Sequence, residues 1–145
     1  MFVHATSVAL KTGRSWSAVL LRGPSGAGKS DLALRLLDEG ARLIADDQTH
    51  LARKGHALIA SPPPVLAGMI EIRGQGVVKL PRSRIMASAP LALLVDLVRP
   101  EAIDRMPEPA REVLQDVELP RLALAPFEAS AVAKLRLALA RIAAA

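Results

Sequence analysis

The sequence predicts an α/β fold in which flanking helices cover a mixed central sheet that begins with an N-terminal β-hairpin. A glycine-rich stretch, 23–30, follows an apolar run, 17–21, and precedes an amphipathic segment, 31–40, so that strand, loop and helix succeed one another. Aromatic residues make up only 2% of the chain, which leaves leucine, valine, isoleucine and alanine to build the core. With 145 residues and 51% hydrophobic content, residues 1–145 are expected to form a single domain.

The first part of the chain is predicted to form a hairpin, a helix and a returning strand. Residues 2–10 and 16–21 pair as the N-terminal hairpin around the turn 12–14. Residues 31–40 form a helix that stops at a glycine. Residues 42–45 then return as a strand that forms a parallel pair with the strand before the loop.

The rest of the chain is predicted to add further strands and one long helix. The three prolines at 62–64 cannot continue a β-ladder, so they separate a second hairpin, which precedes them, from the strands that follow. The elements, in order, are a hairpin at 49–53 and 56–60, strands at 68–73, 77–80 and 91–98, a loop at 99–109, a short helical turn at 110–114, a strand at 121–125 and a helix at 129–144.

The glycine-rich stretch is a complete phosphate-binding loop, or P-loop, of the pattern G-x-x-x-x-G-K-[ST], in the strand and helix context that the motif requires. Its glycines allow backbone N–H groups to surround a phosphate, and the helix N-terminus adds a favourable dipole. Lys29 is expected to reach the β- and γ-phosphates, and Ser30 to bind magnesium. The sequence therefore predicts a nucleoside triphosphate site formed by Gly23, Pro24, Ser25, Gly26, Ala27, Gly28, Lys29 and Ser30.

Two adjacent carboxylates, Asp46 and Asp47, follow the strand after the loop helix. Ligands bind at the carboxyl ends of strands in open α/β sheets, so both are expected near the nucleotide. Because neighbouring strand residues point to opposite sides, one should serve the metal and the other the acceptor. Asp47 fits a kinase base, which accepts a proton from the attacking hydroxyl. The alternative is that the pair caps the following turn.

The segment 69–76 combines a strand pattern with two charges and two glycines. Alternation sends Ile70 and Ile72 to the core and places Glu71 and Arg73 together on the other face. Glu71 could then bind magnesium and Arg73 could clamp a phosphate. An exposed salt bridge between the two is the alternative.

The composition narrows the possible partners and compartments. The net charge of +5 comes from 19 basic and 14 acidic residues, but the basic residues are scattered and lack interleaved aromatics, which argues against nucleic acid. The absence of cysteine excludes disulfides and thiolate metal sites. No apolar run is long enough to span a membrane. ATP-dependent chemistry and an N-terminus without signal character predict a soluble, cytoplasmic protein.

Two further residues are left open by their local sequence. His4 lies on the first strand, where a lone histidine is more often structural than catalytic. Arg105 lies in a loop and could stabilise transferred charge only if the fold brings it to the phosphates.

Taken in order along the chain, these features resemble the catalytic C-terminal domain of HPr kinase/phosphorylase. The likeness is carried by His4, the loop 23–30, Ala45-Asp46-Asp47 and the stretch 71–76, and it becomes thinner past about residue 100. The resemblance implies ATP- and magnesium-dependent phosphorylation of a serine on HPr, the phosphocarrier protein of a phosphotransferase system. It also implies a homo-oligomer.

The resemblance assigns roles to individual residues. Asp47 is implied as the proton acceptor, with Lys29 and His4 also catalytic. Ser30 and Glu71 are implied as magnesium ligands. Arg105 is implied as a phosphate-handling arginine.

The sequence departs from the family pattern in two places. Larger members carry a separate N-terminal domain, whereas here His4 lies almost at the first residue, so a short form is expected. The family's arginine- and glycine-rich segment after the last strand is replaced by residues 126–130, which include Glu128 and no arginine. A serine kinase with weak or absent phosphorylase activity is therefore expected.

Two other functions are compatible with the same residues. A small-molecule kinase would use the same loop and aspartate on another hydroxyl acceptor. A non-catalytic ATP-sensing module would need the loop but no base, so Asp47 and Glu71 favour chemistry over sensing.

Overall fold

The central feature of the fold is a mixed sheet of nine strands, with two α-helices and a separate two-stranded hairpin. The computed structural model describes residues 1–145. The strands are β1 (Phe2–Val3), β2 (Ala5–Thr12), β3 (Ser15–Arg22), β4 (Arg42–Ala45), β5 (Thr49–Lys54), β6 (Ala57–Ser61), β7 (Met69–Ile72), β8 (Gly76–Lys79), β9 (Ala89–Leu97), β10 (Ala110–Leu114) and β11 (Val117–Leu124), and the helices are α1 (Lys29–Asp38) and α2 (Ala131–Ala144).

Strand β3, which leads into the phosphate loop, lies inside the sheet. It pairs in parallel with β9, which in turn pairs in parallel with β11, so three strands end at the same edge. On its other side β3 pairs with β2, which confirms the predicted N-terminal hairpin for residues 5–12. This order places the loop between β9 and β11 on one side and β2 and β4 on the other. The predicted first strand, 2–10, is interrupted, because residues 2–3 form β1 and pair with β5, and His4 lies in the bend between β1 and β2.

The predicted parallel pair between β3 and β4 is wrong in one respect. Strand β2 lies between them and pairs antiparallel with both, so β3 and β4 run in the same direction without being neighbours. The N-terminal hairpin explains the difference, because its first strand occupies the edge of β3 that the returning strand would otherwise take.

Two hydrophobic layers pack on opposite faces of the sheet, and both are aliphatic as the composition predicted. Alternation along β3 sends Val19 and Leu21 to the layer formed with α1 and α2, while Ala18 and Leu20 join the other. No aromatic residue is among the buried core residues. Neither helix is both long and apolar enough to cross a membrane.

The predicted helical turn at 110–114 is wrong, because these residues form β10. They alternate between half-buried and exposed and pair antiparallel with β11. The connecting residues Gln115 and Asp116 have φ values of 46° and 63°. Two successive positive φ angles characterise a type I′ hairpin turn, which usually contains glycine, and the absence of glycine here removed the sequence signal.

Candidate active site

The phosphate loop joins β3 to α1, and its backbone needs glycine. Gly26 and Gly28 have φ values of 83° and 100°, in the left-handed region that side chains disfavour. A Cβ on Gly28 would also lie 2.9 Å from Cζ of Phe127, so a side chain there would require the Phe127 ring to move. The loop therefore has the glycine-dependent shape of a phosphate cradle at the N-terminus of a helix.

Lys29 is the first residue of α1 and is buried, with 6% of its surface exposed. Its Nζ donates hydrogen bonds to the carbonyl oxygens of Gly23 at 2.6 Å and Pro24 at 3.2 Å. These bonds fold the ammonium group back over the loop instead of leaving it in bulk water. A phosphate in the cradle would then meet a positioned cation.

Asp46 is the centre of a hydrogen-bond network that reaches the loop. Its Oδ1 accepts from the hydroxyls of Ser30 at 2.7 Å and Thr6 at 3.0 Å. Its Oδ2 accepts from the backbone N–H of Glu71 at 2.9 Å. A carboxylate can accept about four hydrogen bonds, and these contacts supply three of them. Asp46 thus orients the predicted magnesium ligand Ser30.

Asp47 has different partners from Asp46, but not through strand alternation, because β4 ends at Ala45 and both aspartates lie in the bend that follows it. Its backbone has a φ of 64°, and its N–H donates to Oγ1 of Thr6 at 3.0 Å. Its Oδ1 lies 2.6 Å from Nε2 of His4. Both side chains are about two-thirds exposed. An exposed carboxylate held beside an imidazole can accept a proton from a docking hydroxyl.

Local irregularity in β4 helps to set this geometry. The pairing with β2 joins Ser7 to Ala45 and Val8 to Leu43, so Ile44 is an extra residue on β4. Such bulges re-aim the residues that follow them. The two aspartates come directly after this bulge.

Glu71 and Arg73 lie in the β7–β8 hairpin beside Asp46. Ile70 is fully buried, Ile72 is half-buried and Glu71 is exposed, which confirms the predicted alternation. No ion pair joins Glu71 to Arg73, so the salt-bridge alternative is not observed. The backbone bond from Glu71 to Asp46 ties this hairpin to the loop network.

Arg105 is not brought into the network by any contact. It lies in the exposed loop between β9 and β10, and its side chain forms neither a hydrogen bond nor an ion pair. Its role in handling phosphate stays a prediction.

The donor set fits magnesium held jointly with phosphate. No group of three or more histidine, aspartate or glutamate side chains could hold a metal ion by itself. Magnesium characteristically keeps several waters and takes one or two protein ligands together with phosphate oxygens. Asp46 accepts from both the Ser30 hydroxyl and the backbone N–H of Glu71, so it holds together the two segments that carry the predicted magnesium ligands.

Sequence reasoning missed Thr6 and an ion cluster under the loop. Thr6 is fully buried and contacts both aspartates, but a threonine within a strand carries no distinctive signal. In the ion cluster, Arg22 binds Asp96 at 2.8 Å and Glu112 at 2.7 Å. The one available signal was Asp96, the only charge in the apolar run 91–98.

The ion cluster has electrostatic consequences. The hydrogen bond from Arg22 lowers the pKa of Glu112 to about 2, with a smaller contribution from Arg121. The bond to Glu112 in turn raises the pKa of Arg22. Arg22 immediately precedes Gly23, and its position in β3 places it on the sheet face opposite α1. The cluster therefore fixes the side chain of the residue that precedes the loop, and it lies on the sheet face opposite the helix that carries Ser30.

Comparison with known proteins gives one family. Residues 12–140 match the family model for the HPr Serine kinase C-terminal domain. The HPr kinase/phosphorylase of Bordetella petrii is 36% identical over 105 residues, covering 68% of this chain and 34% of that protein. The one from Geobacillus thermodenitrificans is 36% identical over 119 residues, covering 73% of this chain and 37% of that protein.

The fold has a close match among solved structures. The structure of the Hpr(Ser) kinase/phosphatase from Coxiella burnetii superposes with a TM-score of 0.81 over 99% of this chain and 95% of that chain, at 24% identity. This likeness confirms the predicted α/β architecture. The matched part of this chain corresponds to about a third of the length of these two relatives, 34% and 37%.

Proposed function

Because the chain belongs to the HPr serine kinase C-terminal domain family, we propose that it transfers the γ-phosphoryl group of ATP to a serine of the phosphocarrier protein HPr, with magnesium as cofactor. Because ATP is the phosphoryl donor of this proposed reaction, we also propose that the protein acts in the cytoplasm. The homo-oligomer implied by the resemblance is part of the same proposal.

The observation that carries the proposal is the continuous network from the phosphate loop to an exposed base. Ser30 on the loop binds Asp46, Thr6 links Asp46 to Asp47, and Asp47 pairs with His4. A module that only senses ATP needs no such base. The network therefore supports phosphoryl transfer to a hydroxyl.

The chain's own residues divide the work of the transfer. The loop N–H groups and Lys29 hold the phosphates, and Ser30 and Glu71 would hold magnesium, which neutralises charge on the β- and γ-phosphates when bound. Asp47 accepts the proton of the attacking serine hydroxyl. His4 keeps the carboxylate of Asp47 oriented toward solvent, from where the acceptor protein approaches.

Incubation with labelled ATP, magnesium and HPr from the same organism tests the proposal. Label should appear on HPr, and an HPr whose acceptor serine is replaced by alanine should stay unlabelled. Transfer to a small hydroxyl compound but not to HPr would instead identify the small-molecule kinase. Absence of transfer to either would overturn the kinase proposal.

The reverse reaction is proposed to be weak or absent. Attack of inorganic phosphate on phosphoserine crowds two anions, which requires additional cations. In the segment 126–130, Glu128 is the only charged residue, and it is paired with Lys134 at 3.1 Å. Phospho-HPr with millimolar phosphate should release pyrophosphate far more slowly than the forward reaction proceeds; comparable rates would overturn this proposal and make Arg105, which forms no ion pair, the first candidate for the missing cation.

A further inference from the structure

A groove of about 500 Å³ lies beside the phosphate loop, on the side away from the two aspartates. Its walls are the loop itself, the segment that follows β9 and the segment that follows β11. Neither Asp46 nor Asp47 lines it. Its main apolar lining residues are Pro24, Ala27, Leu97, Pro100, Pro126 and Phe127.

The strand order gives this groove a place along a bound nucleotide. Thr6 lies in β2, and Asp46 and Asp47 come directly after β4, so this network lies on one side of β3. The groove is lined by residues at the ends of β9 and β11, which lie on the other side of β3. A triphosphate in the loop with its γ-phosphate toward Asp47 would leave its nucleoside on the opposite side. Ligands of open α/β sheets also bind beyond the carboxyl ends of parallel strands, and β3, β9 and β11 all end here.

We propose that this groove binds the base and ribose of the nucleoside triphosphate, with the base stacked on Phe127. The inference rests on the proposed function, in which that nucleotide is the phosphoryl donor. The volume falls within the range of about 300 to 1,000 Å³ usual for small-molecule sites.

Phe127 has the position and exposure of a stacking platform. Phe127 is 70% exposed, and the chain has only one other phenylalanine, Phe2. The ring edge lies close to the phosphate loop, since a Cβ on Gly28 would be 2.9 Å from Cζ of Phe127. The ring is therefore placed beside the phosphates and keeps most of its surface free for a base, whose stacking on an aromatic side chain contributes about 1–3 kcal/mol.

The charged residues of the groove are compatible with this occupant. Glu128 is neutralised in part by Lys134, so it does not present an unpaired carboxylate to the phosphates. Arg99 lines the groove, is exposed and forms no side-chain hydrogen bond or ion pair. Its guanidinium is available to the ribose or the α-phosphate.

A larger groove of about 640 Å³ fits this ligand less well. It lies between the C-terminal half of α1 and α2, away from the loop. Its two arginines are already engaged, since Arg35 donates to the carbonyl of Pro126 and Arg84 to that of Leu37.

The test compares two probes on three variants by calorimetry in the presence of magnesium. ATP carries the nucleoside, whereas inorganic tripolyphosphate carries the phosphates alone. Phe127→Ala should weaken ATP binding about five- to a hundredfold and leave tripolyphosphate binding unchanged. Phe127→Trp should keep wild-type affinity for ATP. Leu137→Ala, which removes another exposed apolar side chain outside the groove, should change neither.

Three results would contradict the inference in different ways. Unchanged ATP affinity in Phe127→Ala would overturn the base site and leave the kinase proposal standing. Equal losses for ATP and tripolyphosphate would show that Phe127 only supports the loop. Wild-type protein that binds neither probe would overturn the base site and the proposed function together.

Discussion

The imidazole of His4 lies 2.6 Å from the carboxylate of Asp47, although 43 residues separate them in the chain. Pairing of β1 with β5, which aligns Phe2 with His50 and Val3 with Thr49, carries His4 to this position. Asp47 is held from its own side by the bond from its N–H to Thr6. The proposed base is thus assembled by long-range pairing.

Replacing Asp47 by asparagine should abolish most phosphoryl transfer while leaving ATP binding intact. The amide keeps the shape and tolerates a positive φ, but it cannot accept the serine proton, and loss of a general base typically costs about 10²- to 10⁴-fold in rate. Asp116→Asn is a matched control, since Asp116 also has a positive φ, 63°, and lies in the β10–β11 turn. Transfer rates for Asp47→Asn within about threefold of wild type would move the base elsewhere, with Asp46 as the next candidate.

The sequence predicted the phosphate loop, its flanking elements and the two aspartates because each depends on local pattern. Gly26 and Gly28 are required by backbone conformation, and alternation alone separated Glu71 from Ile70 and Ile72. Rules of this kind act over a few neighbouring residues, so the patterns that they produce can be recognised in a single sequence.

The long-range contacts of the site could not be predicted from the sequence, because they depend on which strands become neighbours. The bridge from Asp46 through Thr6 to Asp47 spans 40 residues, and the Arg22–Glu112 pair spans 90. The position of β2 between β3 and β4 follows from competition for one sheet edge, which no local pattern records. Contacts of this type follow from the tertiary arrangement.

Lys29→Ala should weaken the binding of magnesium-ATP. The ammonium group is buried over the loop, and hydrogen bonds to a charged group contribute about 1.5–3 kcal/mol, which corresponds to a loss of roughly ten- to a hundredfold. Nucleotide titrations with and without magnesium measure the change, and Lys54→Ala, at the exposed end of β5, serves as the control. Equal affinity in Lys29→Ala and wild type would refute the role of the lysine.

Glu71→Gln should raise the magnesium concentration needed for half-maximal activity. A neutral amide is a poorer ligand than a carboxylate for a hard cation, while the backbone bond from residue 71 to Asp46 is preserved. Magnesium titrations of transfer activity at fixed ATP provide the measurement. Glu101→Gln, at another exposed glutamate, should behave like wild type. If Glu71→Gln does so as well, the side chain is not a metal ligand.

Thr6→Val should impair both stability and transfer, because one hydroxyl serves both aspartates. The substitution preserves shape but leaves the N–H of Asp47 without its acceptor and removes a donor to Asp46. Loss of a buried partner costs about 1–3 kcal/mol. Thr6→Ser keeps the hydroxyl and should retain transfer activity and most of the stability. Urea unfolding and transfer assays of both variants check this, and equal activity in the two would exclude Thr6 as a positioning residue.

Glu112→Gln should remove an acid-sensitive part of the protein's stability. Arg22 lowers the pKa of Glu112 from 4.5 to about 2, so the folded state binds this proton more weakly than the unfolded chain does. The resulting stabilisation is complete above pH 4.5 and is lost as the pH falls toward 2. Arg22 keeps Asp96 as a partner in the variant, so its charge is not left alone.

Urea midpoints measured across this pH range should therefore fall more steeply for wild type than for Glu112→Gln, with the two curves converging near pH 2. Glu101→Gln removes an exposed carboxylate that forms no ion pair, and its curve should run parallel to that of wild type. Parallel curves for wild type and Glu112→Gln would contradict the proposed stabilisation. Because Arg22 adjoins Gly23, a loss of ATP affinity in Glu112→Gln at neutral pH would show that the ion cluster also positions the phosphate loop.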